Sequence, residues 1–226
     1  MGNTMRDRRK QLRLLIVCSL NLLLAGVLFA QSKPIAAPSV QDALVRPVFT
    51  DGERSFTTPE AFHASLNRTR VPGGMVILSG CREDPPAKAW NPQGHALAQV
   101  LNELVAADRS YTWEIQEGAI NLLPVGGEPP LLQTHISEFT VKTKSSLDAL
   151  NQLQQRAEMK AAMANAELKG ALAIITYSPS PTEFSVQFKG GTLRQALNAI
   201  AVSNGHDVWD YREFHCGERN EVMIRF

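Results

Sequence analysis

The residues that could carry chemistry are scattered along the chain. His206 and Asp207 are adjacent, and with Glu114 from an earlier stretch they define one catalytic hypothesis, a small hydrolase, because a histidine beside a carboxylate suits general acid–base work. The chain has no H-E-x-x-H, C-x-x-C, G-x-S-x-G or phosphate-binding motif. We therefore predict no catalytic, cofactor-binding or metal-binding residue. A small envelope hydrolase with its site between the two halves of the chain is the alternative to a binding function.

Two cysteines are candidates for a disulfide. Of the three in the chain, Cys18 lies in the N-terminal segment, while Cys81 and Cys216 lie one in each half of the remainder. Disulfides persist in oxidising compartments, so a pair is expected if the chain is exported. Two separate thiols are the other interpretation that the sequence allows.

Trp90 is the candidate for partner binding. It stands in the turn-rich stretch 82–96, flanked by Lys88 and Asn91, and large aromatic side chains anchor many interfaces. Trp113 and Trp209 occur at matching places in two similar stretches. They are interpreted as core residues, with a ligand platform as the alternative.

The first thirty residues indicate export. A basic stretch up to Arg13 precedes the apolar run LLIVCSLNLLLAGVLFA, and Ala30 offers a small residue for cleavage. The run of about 17 residues is shorter than the roughly 20 that span a membrane. Cleavage of a signal peptide is expected, and retention as an inner-membrane anchor is the alternative. In both cases the remainder is periplasmic or secreted, and residues 14–30 are the only expected membrane contact.

The charge of the exported part argues against nucleic acid as a partner. Residues 1–30 hold five of the 23 basic and one of the 22 acidic residues, which leaves 18 basic against 21 acidic, a net charge of −3. Nucleic-acid binding needs a clustered basic surface. The expected partner is another envelope protein or a surface polymer.

Two helix–strand stretches resemble each other at a constant offset of 96 residues. TLRQALNAIAVSNGHDVW (192–209) repeats features of LAQVLNELVAADRSYTW (97–113): leucine, glutamine, leucine, asparagine and tryptophan recur in register. Each has apolar residues at helical spacing followed by a strand. An internal duplication follows, with Thr192 and Gln195 forming a capping box in the later copy.

The other elements fit two small α+β modules, each with helices packed on a short-stranded sheet. A helix is predicted after Thr58, strands at 75–78, 139–141, 171–177 and 184–188, and one long helix from Ser145 to Gly170. A short strand is expected at 87–90. The predicted domains are a signal peptide or anchor (1–30), a flexible linker (31–52), a first module (53–125), a linker (126–134) and a second module (135–226).

The second half resembles the short N-terminal domain of secretins and TonB-dependent receptors. The resemblance lies in FSVQFKGGTLRQALNAIAVSNGHDVWDY followed by VMIRF: an alternating strand, a small turn, a T-L-x-x-A-L-x-x-I helix, a glycine and a final hairpin. It implies a periplasmic binding module in two divergent tandem copies, within a secretion, uptake or signalling assembly, and it transfers no catalytic residue.

Overall fold

The computed structural model describes residues 39–49, 54–81, 87–170 and 182–226. Within these residues the chain forms six α-helices: α1 Val40–Leu44, α2 Thr58–Thr69, α3 Leu97–Ala107, α4 Ser146–Gln154, α5 Ala157–Asn165 and α6 Leu193–Asn204. The strands are β1 Arg54–Phe56, β2 Gly73–Ser79, β3 Lys88–Trp90, β4 Tyr111–Gln116, β5 Ala119–Pro124, β6 His135–Ile136, β7 Phe139–Thr143, β8 Lys169–Gly170, β9 Phe184–Phe188, β10 Gly191–Thr192, β11 Val208–Cys216 and β12 Arg219–Arg225.

The central feature is a mixed six-stranded sheet in the order β4-β5-β2-β11-β12-β8. The hairpins β4–β5 and β11–β12 are antiparallel, whereas β2 runs parallel to both β5 and β11, and β8 runs parallel to β12. The remaining strands form the two-stranded ladders β1–β3, β7–β9 and β6–β10. The predicted class, helices packed on short-stranded sheets, is confirmed at this level.

Two separate modules are not evident, because one sheet passes through both halves of the chain. β2 and β11 pair over seven residues, from Gly73 opposite Val208 to Ser79 opposite Phe214. The sequence identified β2 as a buried strand but offered it no good partner. Besides β5 of its own half, its partner over seven residues is β11, more than a hundred residues away. Apolar periodicity indicates which residues are buried but not which strand they pair with.

A triplet of strands and a two-stranded ladder nevertheless recur in each half, and the second half adds the β6–β10 ladder. Residues 54–124, the first half, contribute the triplet β4-β5-β2 and the ladder β1–β3. Residues 135–226, the second half, contribute the triplet β11-β12-β8 and the ladder β7–β9. In the first half, β5 is the second strand of its hairpin and pairs in parallel with β2, which follows α2. In the second half, β12 is the second strand of its hairpin and pairs in parallel with β8, which follows α4 and α5.

The helix α6 forms as its sequence predicts. The Thr192 hydroxyl accepts from the Gln195 N–H at 3.3 Å, and the Gln195 side chain accepts from the Thr192 N–H at 2.8 Å, so two of the free donors at the helix start are satisfied. Gly205 ends the helix in the left-handed conformation with φ 94°. The apolar face is buried: Leu193, Ala196, Leu197, Ile200 and Ala201.

The prediction of one long helix from Ser145 to Gly170 was wrong. The chain breaks between α4 and α5, where Arg156 is extended with ψ 145°. Its guanidinium lies 2.7 Å from the Glu158 carboxylate and also donates to the Ser137 hydroxyl. The Arg156 and Ser137 hydrogen bonds lower the pKa of Glu158 to about 2. These tertiary contacts, with the complete burial of Met159, outweigh the helix propensity of the alanine-rich segment.

Parts of both predicted linkers are folded. In the segment 31–52, Val40 and Ala43 on α1 and Val48 after it are buried. In 126–134, Leu131 and Leu132 are buried on a short 3₁₀ turn. The predicted signal or anchor (1–30) and the strand 171–177 lie outside the described residues. Among the helices of the described part, none is long and apolar enough to cross a membrane.

Two hydrophobic clusters fill the interior, and each contains one buried residue from the central strand of the opposite half. The first-half cluster includes Val208 of β11, while the second-half cluster includes Val76 of β2. Trp209, fully buried in the second cluster, lies directly over Gly74: a Cβ there would stand 1.8 Å from the indole. The absence of a side chain at Gly74 therefore allows the two halves to pack along the β2–β11 pair.

Candidate binding cleft

Trp90, the predicted partner-binding residue, lies on β3 in the small β1–β3 ladder. Its indole packs edge-on against the Phe56 ring, with the ring centroids 5.4 Å apart and the planes at 86°. The residue is half-buried, so part of its aromatic surface remains accessible. The strand β3 thus presents an aromatic side chain at the surface of the first half.

Trp90 borders a cleft of about 680 Å³. The cleft is formed by the β1–β3 ladder, the start of α2, the end of α3 and one residue of β11. Its lining residues are Phe56, Thr57, Thr58, Pro59, Glu60, Ala61, Ile77, Leu78, Lys88, Ala89, Trp90, Asn91, Glu103, Leu104, Ala107, Asp108, Ser110, Tyr111 and Arg212. A volume of this size lies within the usual range for small-molecule or peptide-segment sites.

The carboxylates of the cleft are already engaged. Glu60 accepts from the Thr57 N–H at 2.8 Å and from its hydroxyl at 2.9 Å, which lowers the pKa of Glu60. Asp108 accepts from Thr58 at 2.9 Å and from Ser110. Burial raises the pKa of Asp108, but these hydrogen bonds and the charge of Lys88 outweigh it, and the pKa is lowered. Both acids are therefore ionised acceptors held by the protein itself.

Two hydrogen-bond donors of the cleft are unsatisfied. The Nε1 of Trp90 and the Nε of Arg212 are shielded from water and have no hydrogen-bond partner in the described part of the chain. A different nitrogen of the same guanidinium, the Nη2 of Arg212, lies 3.5 Å from the Asp210 carboxylate, which is a long contact. A buried donor left unpaired costs about 1–3 kcal/mol. Arg212 reaches this first-half cleft because β11 pairs with β2, and sequence patterns gave no signal for it.

A second cavity of about 680 Å³ adjoins the cleft and shares Phe56, Glu60 and Arg212 with it. Here the Asp210 carboxylate is 5% exposed and accepts from the Nε and Nη2 of Arg225, both at 2.6 Å. Burial lowers the pKa of the neighbouring His63, and the two arginines lower it further against the opposing effect of Asp210. The charges of this cavity therefore neutralise one another within the protein.

Cys81 and Cys216 form a disulfide, the pairing that the sequence offered as one of two alternatives. Cys81 follows β2 and Cys216 ends β11; their Cα atoms are 4.8 Å apart across 135 residues of sequence. β11 itself extends to Cys216, and Gly217 and Glu218 alone make the turn to β12. The disulfide fastens the ends of the two central strands, on the same pair that carries Arg212 to the cleft.

The residues of the hydrolase hypothesis do not converge. Glu114 pairs with Arg194 in the first turn of α6, whereas Asp207 follows the last turn and accepts from Asn204 at 2.6 Å and from Ser146. Ten residues of helix separate Arg194 from Asn204, a rise of about 15 Å. His206 is 57% exposed with its Nε2 3.9 Å from Asp207. The structure brings His206 beside Asp207 and leaves Glu114 at the other end of the helix.

The repeated tryptophans make the same hydrogen bond. The Nε1 of Trp113 donates to Asn102 at 3.0 Å, and the Nε1 of Trp209 donates to Asn198 at 2.9 Å, 96 residues further on. Trp209 and Asn198 are fully buried, so the core interpretation holds for that copy. Trp113 is half-buried and packs at the margin of the first-half core.

A series of hydrogen-bonded polar side chains on β11 was not predicted from the sequence. The buried Tyr211 hydroxyl donates to Glu213, whose other carboxylate oxygen lies 3.0 Å from the Nε2 of His215; the Nδ1 of that histidine lies 3.1 Å from the Asn220 side chain. Burial raises the pKa of Tyr211, and the contact with Glu213 raises it further. Hydrogen bonds of the imidazole to the Glu213 carboxylate and to the Asn220 side-chain oxygen raise the pKa of His215. The i, i+2 spacing on a strand was the available signal, since alternate side chains share a face.

Comparison of the chain with protein-family models, with curated proteins and with solved structures found no match. In the described residues, no group of three or more histidine, cysteine, aspartate or glutamate side chains could hold a metal ion. The cleft at Trp90 is thus characterised by its own lining: aromatic and apolar walls, engaged carboxylates and two unsatisfied donors.

Proposed function

We propose that this chain is an exported cell-envelope protein that acts without catalysis, by binding another protein or a ligand in the Trp90 cleft. The observation that carries the proposal is the cleft itself, a cavity of about 680 Å³ lined by the partly accessible Trp90, by further apolar side chains and by charged groups. A site that offers donors and apolar surface selects a ligand by shape and hydrogen bonding. The partner is another envelope protein, with a surface polymer as the alternative, and nucleic acid is not expected.

Export is supported by two independent features. The basic and apolar character of residues 1–30 is typical of a secretory signal, or of an anchor if it is uncleaved. The Cys81–Cys216 disulfide is the kind of bond that persists in an oxidising compartment. Alkylation of intact cells tests this step: Cys81 and Cys216 should react only after reduction, and reaction without reductant would count against export.

We further propose that the two halves are divergent tandem copies of a module similar to the short N-terminal domain of secretins and TonB-dependent receptors. The support is the matching strand connectivity of the halves and the repeated tryptophan–asparagine hydrogen bond at an offset of 96 residues. In this proposal the module serves a secretion, uptake or signalling assembly. The copies share core residues and the tryptophan–asparagine pair, and the cleft belongs to the surface that they do not share.

A pull-down from solubilised envelope tests the binding proposal. The full chain, its Trp90→Ala variant and a Val125→Ala variant are compared; Val125 is 62% exposed and does not line the cleft. The wild type and Val125→Ala should recover the same envelope component, and Trp90→Ala should lose it. Equal recovery by all three chains would show that the cleft is not the binding surface.

A further inference from the structure

The strand β4 forms one end of the six-stranded sheet and has an open edge. Its partner is β5, and no other strand of the described residues pairs with it. At the offset of 96 residues β4 is the counterpart of β11, because Trp113 corresponds to Trp209 and Ile115 to Tyr211. The equivalent edge of β11 is occupied by β2, which runs parallel to it over seven residues. One half therefore carries a strand at a place that is open in the other half.

The apolar side chains of β4 remain partly accessible where those of β11 are covered. Trp209 and Tyr211 are fully buried, whereas Trp113 and Ile115 are half-buried. Both tryptophans donate to an asparagine at matching positions, so the two indoles are held alike. A strand added beside β4 would cover the apolar surface that Trp113 and Ile115 leave accessible, which is favourable.

The backbone of β4 also suits an added strand. The β4–β5 hairpin turns through Glu117 and Gly118, which both have positive φ. Such a two-residue turn closes on a hydrogen-bonded pair, here Gln116 and Ala119. Because bonded and non-bonded pairs alternate along an antiparallel ladder, the main-chain N–H and C=O of Trp113 point away from β5. An edge of this kind is a template for a further strand.

The contact of β2 with Trp209 indicates which residue must lie opposite Trp113. In the β2–β11 register Gly74 is the partner of Trp209, and a Cβ at Gly74 would stand 1.8 Å from the indole. Since both indoles are held by the same hydrogen bond, a strand that pairs with β4 as β2 pairs with β11 needs a glycine opposite Trp113. The β2 sequence GGMVILS is therefore the template for the partner segment.

Within the described residues this chain offers no second strand of that kind. Apart from β2, which already has a partner on each side, the described strands that contain glycine are β8 and β10, and each is two residues long. The expected occupant is therefore a segment of another protein. Main-chain pairing with a sheet edge is an established mode of peptide recognition, in which pockets for alternate side chains give specificity.

We propose that the open edge of β4 binds an extended segment of another protein as an added parallel strand, with a glycine opposite Trp113 and apolar residues after it. Of the β4 residues, Tyr111 alone lines the Trp90 cleft. The proposal thus goes beyond the function proposed above and does not rest on it.

A peptide with the sequence of residues 72–79 tests this edge: acetyl-PGGMVILSKK-amide, in which two lysines add solubility. In a ¹H–¹⁵N spectrum of the disulfide-bonded protein, it should move the main-chain amide signals of Trp113 and Ile115 in a saturable way. Replacing the second glycine of the peptide with valine should weaken binding at least about tenfold, because the new side chain would meet the Trp113 indole.

The alternation of hydrogen bonds along β2 supplies a matched pair of peptides. The Gly73 N–H donates to the Asp207 carbonyl of the β11 side at 3.1 Å, so the N–H of Met75 also points to β11 and that of Val76 points away. An N-methyl group on the methionine of the peptide should therefore abolish binding, and an N-methyl group on the valine should leave it in place.

The direction of the bound peptide is tested with a nitroxide at its N-terminal end. A parallel strand should broaden the signal of Thr112 more than that of Gln116, and the reverse would overturn the proposal. No saturable shift at Trp113 and Ile115, or equal effects of the two N-methyl peptides, would also overturn it. A concentration-dependent dimer that the peptide dissociates in sedimentation velocity would show that a second copy, and not another protein, occupies the edge. Peptide binding that survives a failed pull-down through the Trp90 cleft would leave this proposal standing alone.

Discussion

Replacing Gly74 with alanine tests the packing of β2 against β11. The added Cβ would lie 1.8, 2.2 and 2.3 Å from three atoms of the Trp209 indole, where real contacts are near 3.5 Å or longer. The indole is fully buried and its Nε1 donates to Asn198, so it has no free space to move into. Either β2 shifts away from β11 or the indole loses its place.

The expected cost follows from these two routes. Overpacking a close-packed core costs about 1–3 kcal/mol, and losing the indole hydrogen bond adds about 1 kcal/mol. We expect Gly74→Ala to lower the free energy of unfolding by about 3 kcal/mol, measured by urea denaturation of the oxidised protein. Gly126→Ala is the matched control, because no atom lies within 4 Å of a Cβ at Gly126. A loss below about 0.5 kcal/mol for Gly74→Ala would refute the proposed packing.

Three other predictions concern the duplicated hydrogen bond, the disulfide and pH. Asn198→Leu should lower the free energy of unfolding in urea by about 1–2 kcal/mol, because it leaves the buried indole N–H of Trp209 unpaired. Asn102→Leu removes the matching but exposed hydrogen bond of Trp113 and should cost under about 0.5 kcal/mol. Equal losses for the two variants would contradict this prediction. Replacing Cys81 and Cys216 with serine should lower stability by up to about 5 kcal/mol, since the bridge closes a long loop, and an unchanged midpoint would contradict a stabilising role. The pKa of His215 is raised on folding, so protonation of this histidine stabilises the folded protein. The wild type should therefore exceed His215→Gln in stability most clearly below pH 6.5, and the difference should fade as the pH rises. Urea midpoints at several pH values measure this difference, and the opposite trend would contradict the prediction.

Local patterns predicted the elements of this fold well. Thr192, Gln195 and Gly205 mark the bounds of α6 because capping depends on neighbours a few residues apart. The repeat of asparagine and tryptophan anticipated a shared arrangement, and both copies make the same hydrogen bond. These features were readable because each is encoded within one turn or one helix–strand unit.

Features that depend on long-range pairing could not be read in the same way. β2 pairs with β5 of its own half and, over seven residues, with β11 of the other half. The helix break at Arg156 depends on contacts of its side chain with Ser137 and Glu158. Trp90 was identified as a candidate from its setting in a turn-rich stretch. Its companion donor Arg212 was not, because only the β2–β11 pairing places it in the cleft.

That pairing also links the disulfide to the candidate site. Arg212 stands opposite Ile77 in the β2–β11 register, and both residues line the cleft. The disulfide closes the same pair of strands at Cys81 and Cys216. Because it restrains the strand that carries Arg212, reduction is expected to loosen the cleft as well as to lower global stability.

Photo-cross-linking in intact cells tests the central claim most directly. Benzoylphenylalanine replaces Ala89, which is exposed beside Trp90 in the cleft, and in a second chain it replaces Val202, an exposed residue of α6 that does not line the cleft. We expect one discrete envelope-protein adduct from position 89, lost when Trp90 is also changed to alanine, and none from position 202. The same adducts from both positions, or an adduct at 89 that persists without Trp90, would contradict a binding site in this cleft.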